Sequence, residues 1–399
     1  MKNTKVWALS LITAALLAAC GGGDPYVPGN GSPSGAPTTK GQFSAVVSFG
    51  DSLSDLGAYT PATAIPGTSP TVYLGGKFTT NFGSGATAGT VWVENIAASL
   101  GLTITPAEVG FAGQSVKCPI ALTVPALAKT CTGYGQGGAL VTNADGYGHL
   151  DANGQPAGLT VPVKTQIANH LATFGSFKDS DLILVSAGFN EVFVQVEKYY
   201  VPAVLDASDK LKNGNITEDA FKNRVFSAQT DAQLAMKTAA LDLADLIRTQ
   251  ILAKGGKYVA VTTLIDMALT PEAMLLPAGI RPILTTLPET FELWLRESLN
   301  GQAVQVLDFH SVFADIMRNP AGYGFANISA PACDPAKMPA AAKGSALFCN
   351  TTPGAPYNAL AAGADVNTWF FADLNHPSTG GYKAFSDAGL KQLKSFGWL

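Results

Sequence analysis

The sequence predicts an α/β fold, with a central, mostly parallel sheet of about five strands covered by helices on both faces. Three observations predict it. Apolar, strand-like runs recur along the chain at Ala45–Phe49, Asp181–Ala187, Lys257–Leu264 and Ala303–Phe309. Longer stretches with apolar residues at helical spacing lie between them, and such alternation argues for parallel strands joined by helical crossovers. The first two runs stop in polar turns, Gly50-Asp51-Ser52 and Gly188-Phe189-Asn190. Buried parallel strands end in this way where they hand over to a helix.

Taken in order, the chain opens on a targeting segment. Lys2 and Lys5 precede an apolar core, Val6–Leu17, too short to cross a bilayer comfortably. Leu17-Ala18-Ala19-Cys20 resembles the lipobox of bacterial lipoproteins. That resemblance implies a signal peptide at 1–19 and a lipid on the sulfur of Cys20. An ordinary signal peptide cut nearby is the competing reading. In the lipoprotein sorting pattern, Gly21 and Gly22 in place of an acidic residue imply the outer membrane. Residues 20–42 are rich in Gly, Pro and Ser and read as a flexible tether. One globular domain, 43–399, is expected to follow, with no internal repeat and no second core.

Within that domain, Trp92, Ile96 and Leu100 mark a helix over Trp92–Leu100, stopped by Gly101. Leu102–Phe111 is a weaker strand candidate, interrupted by Pro106. Val163–Phe174 reads as a helix. Glu191–Lys254 reads as mostly helical, strongest over Phe221–Leu252. Its apolar positions include Leu234, Leu241, Leu246 and Ile251, and Asn213-Gly214-Asn215 breaks it. Pro271, Pro277, Pro282 and Pro288 interrupt the apolar stretch Met267–Pro288, so the next helix is expected over Thr290–Leu299. A short helix at Val312–Met317 and a closing one at Thr379–Phe396 complete the pattern.

Composition narrows the function. Hydrophobic residues make up 47% and charged residues 14%, a globular composition, and the formal charge is −4 with no basic run. Nucleic acid is therefore not expected as a partner. The domain is expected to be a monomer. In an exported chain Cys118, Cys131, Cys333 and Cys349 are expected to form disulfides. Cys118–Cys131 and Cys333–Cys349 are the preferred pairs, since each closes a short, loop-like segment. Such a loop is worth about 3 kcal/mol in the chain-entropy model. Both bridges are expected to matter for stability more than for chemistry. Zinc is the rival reading, but no Cys-x-x-Cys occurs. Gly133-Tyr134-Gly135-Gln136-Gly137-Gly138 formally fits a dinucleotide loop. Lys129-Thr130-Cys131-Thr132 before it is no strand, so that reading fails.

The chemistry lies at two turns. Ser52 stands at the carboxyl end of the first strand, where α/β sheets bind ligands, and its hydroxyl can serve as a nucleophile. A plain helix-capping role competes for it. Asp373 and His376 lie three apart on a turn before the last helix, with Pro377 fixing the exit. At that spacing a carboxylate can fold back onto the imidazole Nδ1 and stabilise the cation formed in proton transfer. Together the two turns favour nucleophilic catalysis. Asn190 is either a turn residue or a donor facing the same crevice. His310, after Asp308, is the rival base, and His149 and His170 have no evident partner.

At these residues the chain resembles the SGNH (GDSL-type) hydrolases, a family of serine esterases and lipases. Gly50-Asp51-Ser52-Leu53-Ser54-Asp55 is similar to the family's first block, Gln136-Gly137-Gly138-Ala139 to its Gly block and Asp373-Leu374-Asn375-His376-Pro377 to its last. Gly188-Phe189-Asn190 fits the Gly-x-Asn-Asp block, but Glu191 replaces the Asp. Phe78–Leu100 and Asp308–Ile328 resemble the family's larger bacterial lipase branch. The blocks occur in the family's order from about Ser44 to the C-terminus.

The resemblance implies a three-layer α/β/α sandwich of flavodoxin-like type and a carboxylic ester hydrolase with an acyl-enzyme intermediate. Ser52 would be the nucleophile, His376 the base and Asp373 its orienting carboxylate. The N–H groups of Ser52 and Gly138, with the Asn190 amide, would form the oxyanion hole. Gly137 is the alternative to Gly138. No cofactor or metal is implied. Acyl esters, lipids, polyesters and acetylated glycans all remain open as substrates. Met274-Leu275-Leu276-Pro277, Phe189, Phe193 and Tyr199 are either an acyl-chain groove or core. A non-catalytic binding lipoprotein is the remaining alternative, although all three triad residues are present.

Overall fold

The computed structural model describes residues 40–83, 89–354 and 358–399. The signal segment 1–19, Cys20 and nearly all of the expected tether 20–42 lie outside the described residues. The strands run in chain order as β1 (Ala45–Gly50), β2 (Glu108–Phe111), β3 (Gln114–Lys117), β4 (Asp181–Ser186), β5 (Tyr258–Thr262), β6 (Val304–Leu307), β7 (Asn327–Pro331) and β8 (Trp369–Phe371). The central sheet has the order β1-β4-β5-β6, and every pair in it is parallel. Its register aligns Val47, Ile183, Val259 and Val304 in one row. All four side chains are fully buried. Burial on both faces is why these runs read as apolar without alternation. The fold is mixed α/β around a parallel sheet, as expected.

The expected count of about five strands is not met in this sheet, which has four among the described residues. Leu102–Phe111 yields only β2, and β2 pairs with β3 in a separate antiparallel hairpin. Pro106 has no N–H for a ladder, and the adjacent β3 offers a local partner. Beyond β1, the Ser48 N–H donates to the Thr132 carbonyl at 2.9 Å and the Tyr134 N–H to the Ser48 carbonyl at 2.8 Å. These contacts form an isolated bridge. Gly133 and Gly135 bring no side chains to a pleated ladder there.

Two helices also depart from expectation. The helix expected at Thr290 begins at Ile283 and runs through Pro288 to Leu299. Pro288 forfeits a backbone bond, but Leu284, Leu287 and Phe291 are buried along this helix, and that burial outweighs the loss. On the helix Glu218–Leu246, Leu234 and Leu241 are 59% and 38% exposed. Ala232, Met236, Ala240 and Leu243 are buried instead. Small residues let this helix lie close against Ile283–Leu299.

Both expected disulfides are formed, Cys118–Cys131 and Cys333–Cys349, with Cα atoms 5.4 and 5.9 Å apart. They fit an oxidising compartment outside the cytoplasm. Among the described residues no helix is long and apolar enough to cross a membrane. The two ends of the domain meet, with the Gly41 N–H donating to the Trp398 carbonyl at 2.8 Å. Tyr258, at the start of β5, packs edge-on against both Phe43 and Trp398.

Candidate active site

β1 ends at Gly50 because nothing larger fits. A Cβ there would run into the Ser186 carbonyl oxygen of β4. The Gln166 amide grips the same residue, accepting from its N–H at 2.8 Å and donating to its carbonyl at 2.7 Å. Asp51 then caps the tight turn Ser52–Ser54, its Oδ1 accepting from the Leu53 N–H at 3.1 Å. The capping role that competed for Ser52 is filled by Asp51. Ser52 Oγ instead meets His376 Nε2 at 2.9 Å.

His376 sits on the turn between β8 and the helix Thr379–Ser395. Asp373 folds back onto it, with Nδ1 lying 2.9 Å from Oδ2 and 3.0 Å from Oδ1. Oδ1 also accepts from the N–H groups of Asn375 and His376 at 2.9 and 2.7 Å. Oδ2 accepts from the Ala346 N–H at 2.8 Å. Burial pushes the Asp373 carboxyl up, but the His376 charge and these hydrogen bonds outweigh it and hold it below its ordinary value. Burial pulls His376 down, yet the Asp373 charge and hydrogen bond, with Asp51 and Glu272 behind them, hold it above its ordinary value. The Phe78 ring lies against the imidazole, centroids 4.8 Å apart. Such a line of hydroxyl, imidazole and carboxylate can move the Oγ proton onto Nε2 while Asp373 stabilises the resulting cation.

Ser52, Gly138, Asn190, Asp373 and His376 all line one cavity of about 620 Å³. Tyr59, Phe78, Phe111, Tyr147 and Phe193 supply its aromatic wall. Gly138 has φ +78°, and a Cβ there would meet the Tyr147 carbonyl oxygen, so the position requires glycine. The Gly137 N–H is taken by Asp55 Oδ2 at 2.9 Å. The N–H groups of Ser52 and Gly138 meet no acceptor among the described residues. Asn190 Nδ2 donates to the Ala139 carbonyl at 3.0 Å, which aligns its amide with the same loop.

The other candidates separate from this cavity. His310 Nδ1 faces the Leu264 carbonyl at 3.1 Å, and His149 Nδ1 faces Thr160 Oγ1 at 3.0 Å. His170 is buried with neither ring nitrogen partnered, and burial drives it down to about 4. Of the residues weighed as an acyl groove, Phe193 lines the cavity and Phe189 is core. Tyr199, Met274 and Leu275 are exposed. Leu276 lines a smaller pocket that shares Phe193 and Glu272 with the main one. Among the described residues no group of three or more His, Cys, Asp or Glu side chains is placed to hold a metal ion.

Two contributors carry no sequence signal. Glu272 reaches the cavity from the helix Pro271–Leu275, and its N–H donates to the Leu374 carbonyl at 3.2 Å. Burial raises its carboxyl, which bonds the Asn375 side chain. The Ala346 N–H is a backbone donor from a distant loop, and residue type does not announce it. Compared with known proteins, the chain matches no family model and no curated protein.

Proposed function

We propose that this chain is a serine carboxylic ester hydrolase of SGNH type. The observation that carries the reading is the unbroken hydrogen-bonded line from Ser52 Oγ through His376 to Asp373, 2.9 Å at each step. Ser52 Oγ attacks the ester carbonyl carbon while its proton passes to His376 Nε2. The carbonyl oxygen becomes an oxyanion and accepts from the N–H groups of Ser52 and Gly138 and from Asn190 Nδ2. A donor of this kind is worth about 3–4 kcal/mol in the transition state. Collapse breaks the ester C–O bond, and His376 gives its proton to the leaving alcohol. Water then repeats the sequence on the acyl-enzyme and releases the carboxylic acid.

The parallel sheet with its helical crossovers supports the three-layer α/β/α arrangement that goes with this chemistry. The aromatic wall of the cavity favours an ester with an apolar part over a bare acetylated sugar. In this reading the enzyme is exported and held at the outer membrane by a lipid on Cys20. Palmitate labelling that persists in a Cys20→Ser variant would remove the anchor.

The decisive assay is hydrolysis of p-nitrophenyl esters from acetyl to palmitoyl, wild type beside Ser52→Ala. Turnover is expected in the wild type and is expected to vanish in the folded variant. Equal turnover in both would remove Ser52 as nucleophile.

A further inference from the structure

We propose that Glu191 is a positioning residue of the oxyanion hole, holding the loop that presents the Gly138 N–H beside Asn190. The inference rests on the esterase reading above. Glu191 follows Asn190 on the short helix Phe189–Phe193. The two side chains reach to one irregular loop. Asn190 Nδ2 donates to the Ala139 carbonyl at 3.0 Å, and Glu191 Oε1 accepts from the Val141 N–H at 2.6 Å. Neither a helix nor a strand fixes residues 136–142. Their position depends on such bonds. The Gly138 carbonyl takes the Tyr147 N–H at 2.8 Å, and the Leu140 and Val141 carbonyls take those of Val163 and Lys164 at 3.0 and 2.9 Å. Glu191 supplies the one link that runs from the Asn190 helix to the backbone N–H side of this loop. It therefore ties two oxyanion donors, from distant parts of the chain, into one unit.

The block that this stretch resembles carries Asp where this chain has Glu191. Aspartate is one methylene shorter, about 1.5 Å of reach. At that length the Val141 bond is lost, or the helix bearing Asn190 tilts to keep it. Either response moves a donor relative to the developing oxyanion, and a misplacement of about 1 Å costs about 100-fold in rate. Glu191 Oε2 is buried without a partner. The bond to Val141 needs only an acceptor oxygen, and a glutamine amide offers one of the same reach.

The test compares E191D, E191A and E191Q with the wild type on p-nitrophenyl butyrate, reading kcat, KM and melting temperature. E191D and E191A are expected to lose about 10- to 100-fold in kcat with KM within about threefold. E191Q is expected to keep kcat within about threefold, because it restores the acceptor. Where E191A does not fold, the pair E191D and E191Q decides. Wild-type kcat in E191D overturns the role, and so does an equal loss in E191Q and E191D. An active wild type with an unchanged E191D removes this role alone. A wild type inactive on every ester removes the hydrolase reading and the role with it.

Discussion

Two segments of this chain are closed by disulfides of similar span, 13 and 16 residues, yet they stand in different relations to the site. The Cys118–Cys131 segment carries the short helix Ile120–Thr123 and leaves Leu122 75% exposed. None of its residues lines the cavity that holds Ser52. The Cys333–Cys349 segment builds a wall of that cavity through Cys333, Pro335, Ala342, Ser345 and Leu347. It also sends the Ala346 N–H to Asp373. Asn81 braces it from behind, its Nδ2 donating to the Ala346 and Cys349 carbonyls at 3.1 and 3.0 Å. Loop closure restrains the unfolded chain about equally in both, near 3 kcal/mol each. Only one bridge also holds a donor on the carboxylate that orients His376. The expectation that both disulfides serve stability more than chemistry therefore divides, and it applies to the first bridge alone.

The sharpest way to break this comparison is Ala346→Pro. Ser345, at φ −64° and ψ 133°, already has the extended backbone that a following proline requires. Position 346 opens a 3₁₀ turn, where proline is tolerated. The substitution removes the donor to Asp373 and leaves the disulfide intact. A hydrogen bond to a charged group is worth about 1.5–3 kcal/mol, so kcat is expected to fall about 10- to 100-fold. Wild-type kcat in a folded Ala346→Pro variant would show that the second loop is only a wall. Next comes the double variant Cys333→Ser with Cys349→Ser. It is expected to lose about tenfold in kcat as the loop loosens, together with a lower melting temperature.

A smaller effect concerns pH. Burial pushes Asp51 and Glu191 up to about 7, and each keeps one oxygen without a partner. Between their ordinary values and about 7 the folded chain binds more protons than the unfolded chain, so stability falls as pH rises through that window. His376, held above its ordinary value, acts in the same direction. Its contribution is full below about pH 6.5 and is lost as pH rises through the folded value. Asp373, held low, contributes above its ordinary value and loses that contribution as pH falls through the folded one. Melting temperature is expected to decline from about pH 5 to about pH 8, while kcat/KM rises as His376 loses its proton. A flat melting profile over that range would count against the buried carboxyls. The smallest effect belongs to Cys118→Ser with Cys131→Ser, where melting temperature drops and kcat stays within about twofold of wild type. A tenfold loss of kcat there would erase the distinction between the two loops.

The parts of the site that the sequence made legible are those that side-chain type announces at short range. A strand that stops at Gly50, a hydroxyl after it, and Asp373 three residues before His376 are all local signals. The cysteine pairs were legible for the same reason, since each lies within one loop. What stayed hidden acts through the backbone or across the fold. The Gly137 and Gly138 N–H groups look alike in sequence, and only Asp55, on the Gly137 donor, distinguishes them. Glu272 and Ala346 arrive from distant segments. The helix through Pro288 was missed because a local rule about proline met a larger burial term. Leu234 and Leu241 were misplaced because alanines, which periodicity weighs lightly, give the closer helix contact.

The meeting of Gly41 with Trp398 fixes how the molecule faces its surroundings. Both lie near the amino ends of the strands, with Phe43 and Trp398 on Tyr258 at the start of β5. Ser52 stands at the opposite, carboxyl end of β1, a strand of six residues and thus about 20 Å long. A molecule immobilised by its leading segment, on a bead or at a surface, turns its cavity toward the bulk solution. A reporter fused after Leu399 emerges on the immobilised side and leaves the mouth of the cavity unobstructed.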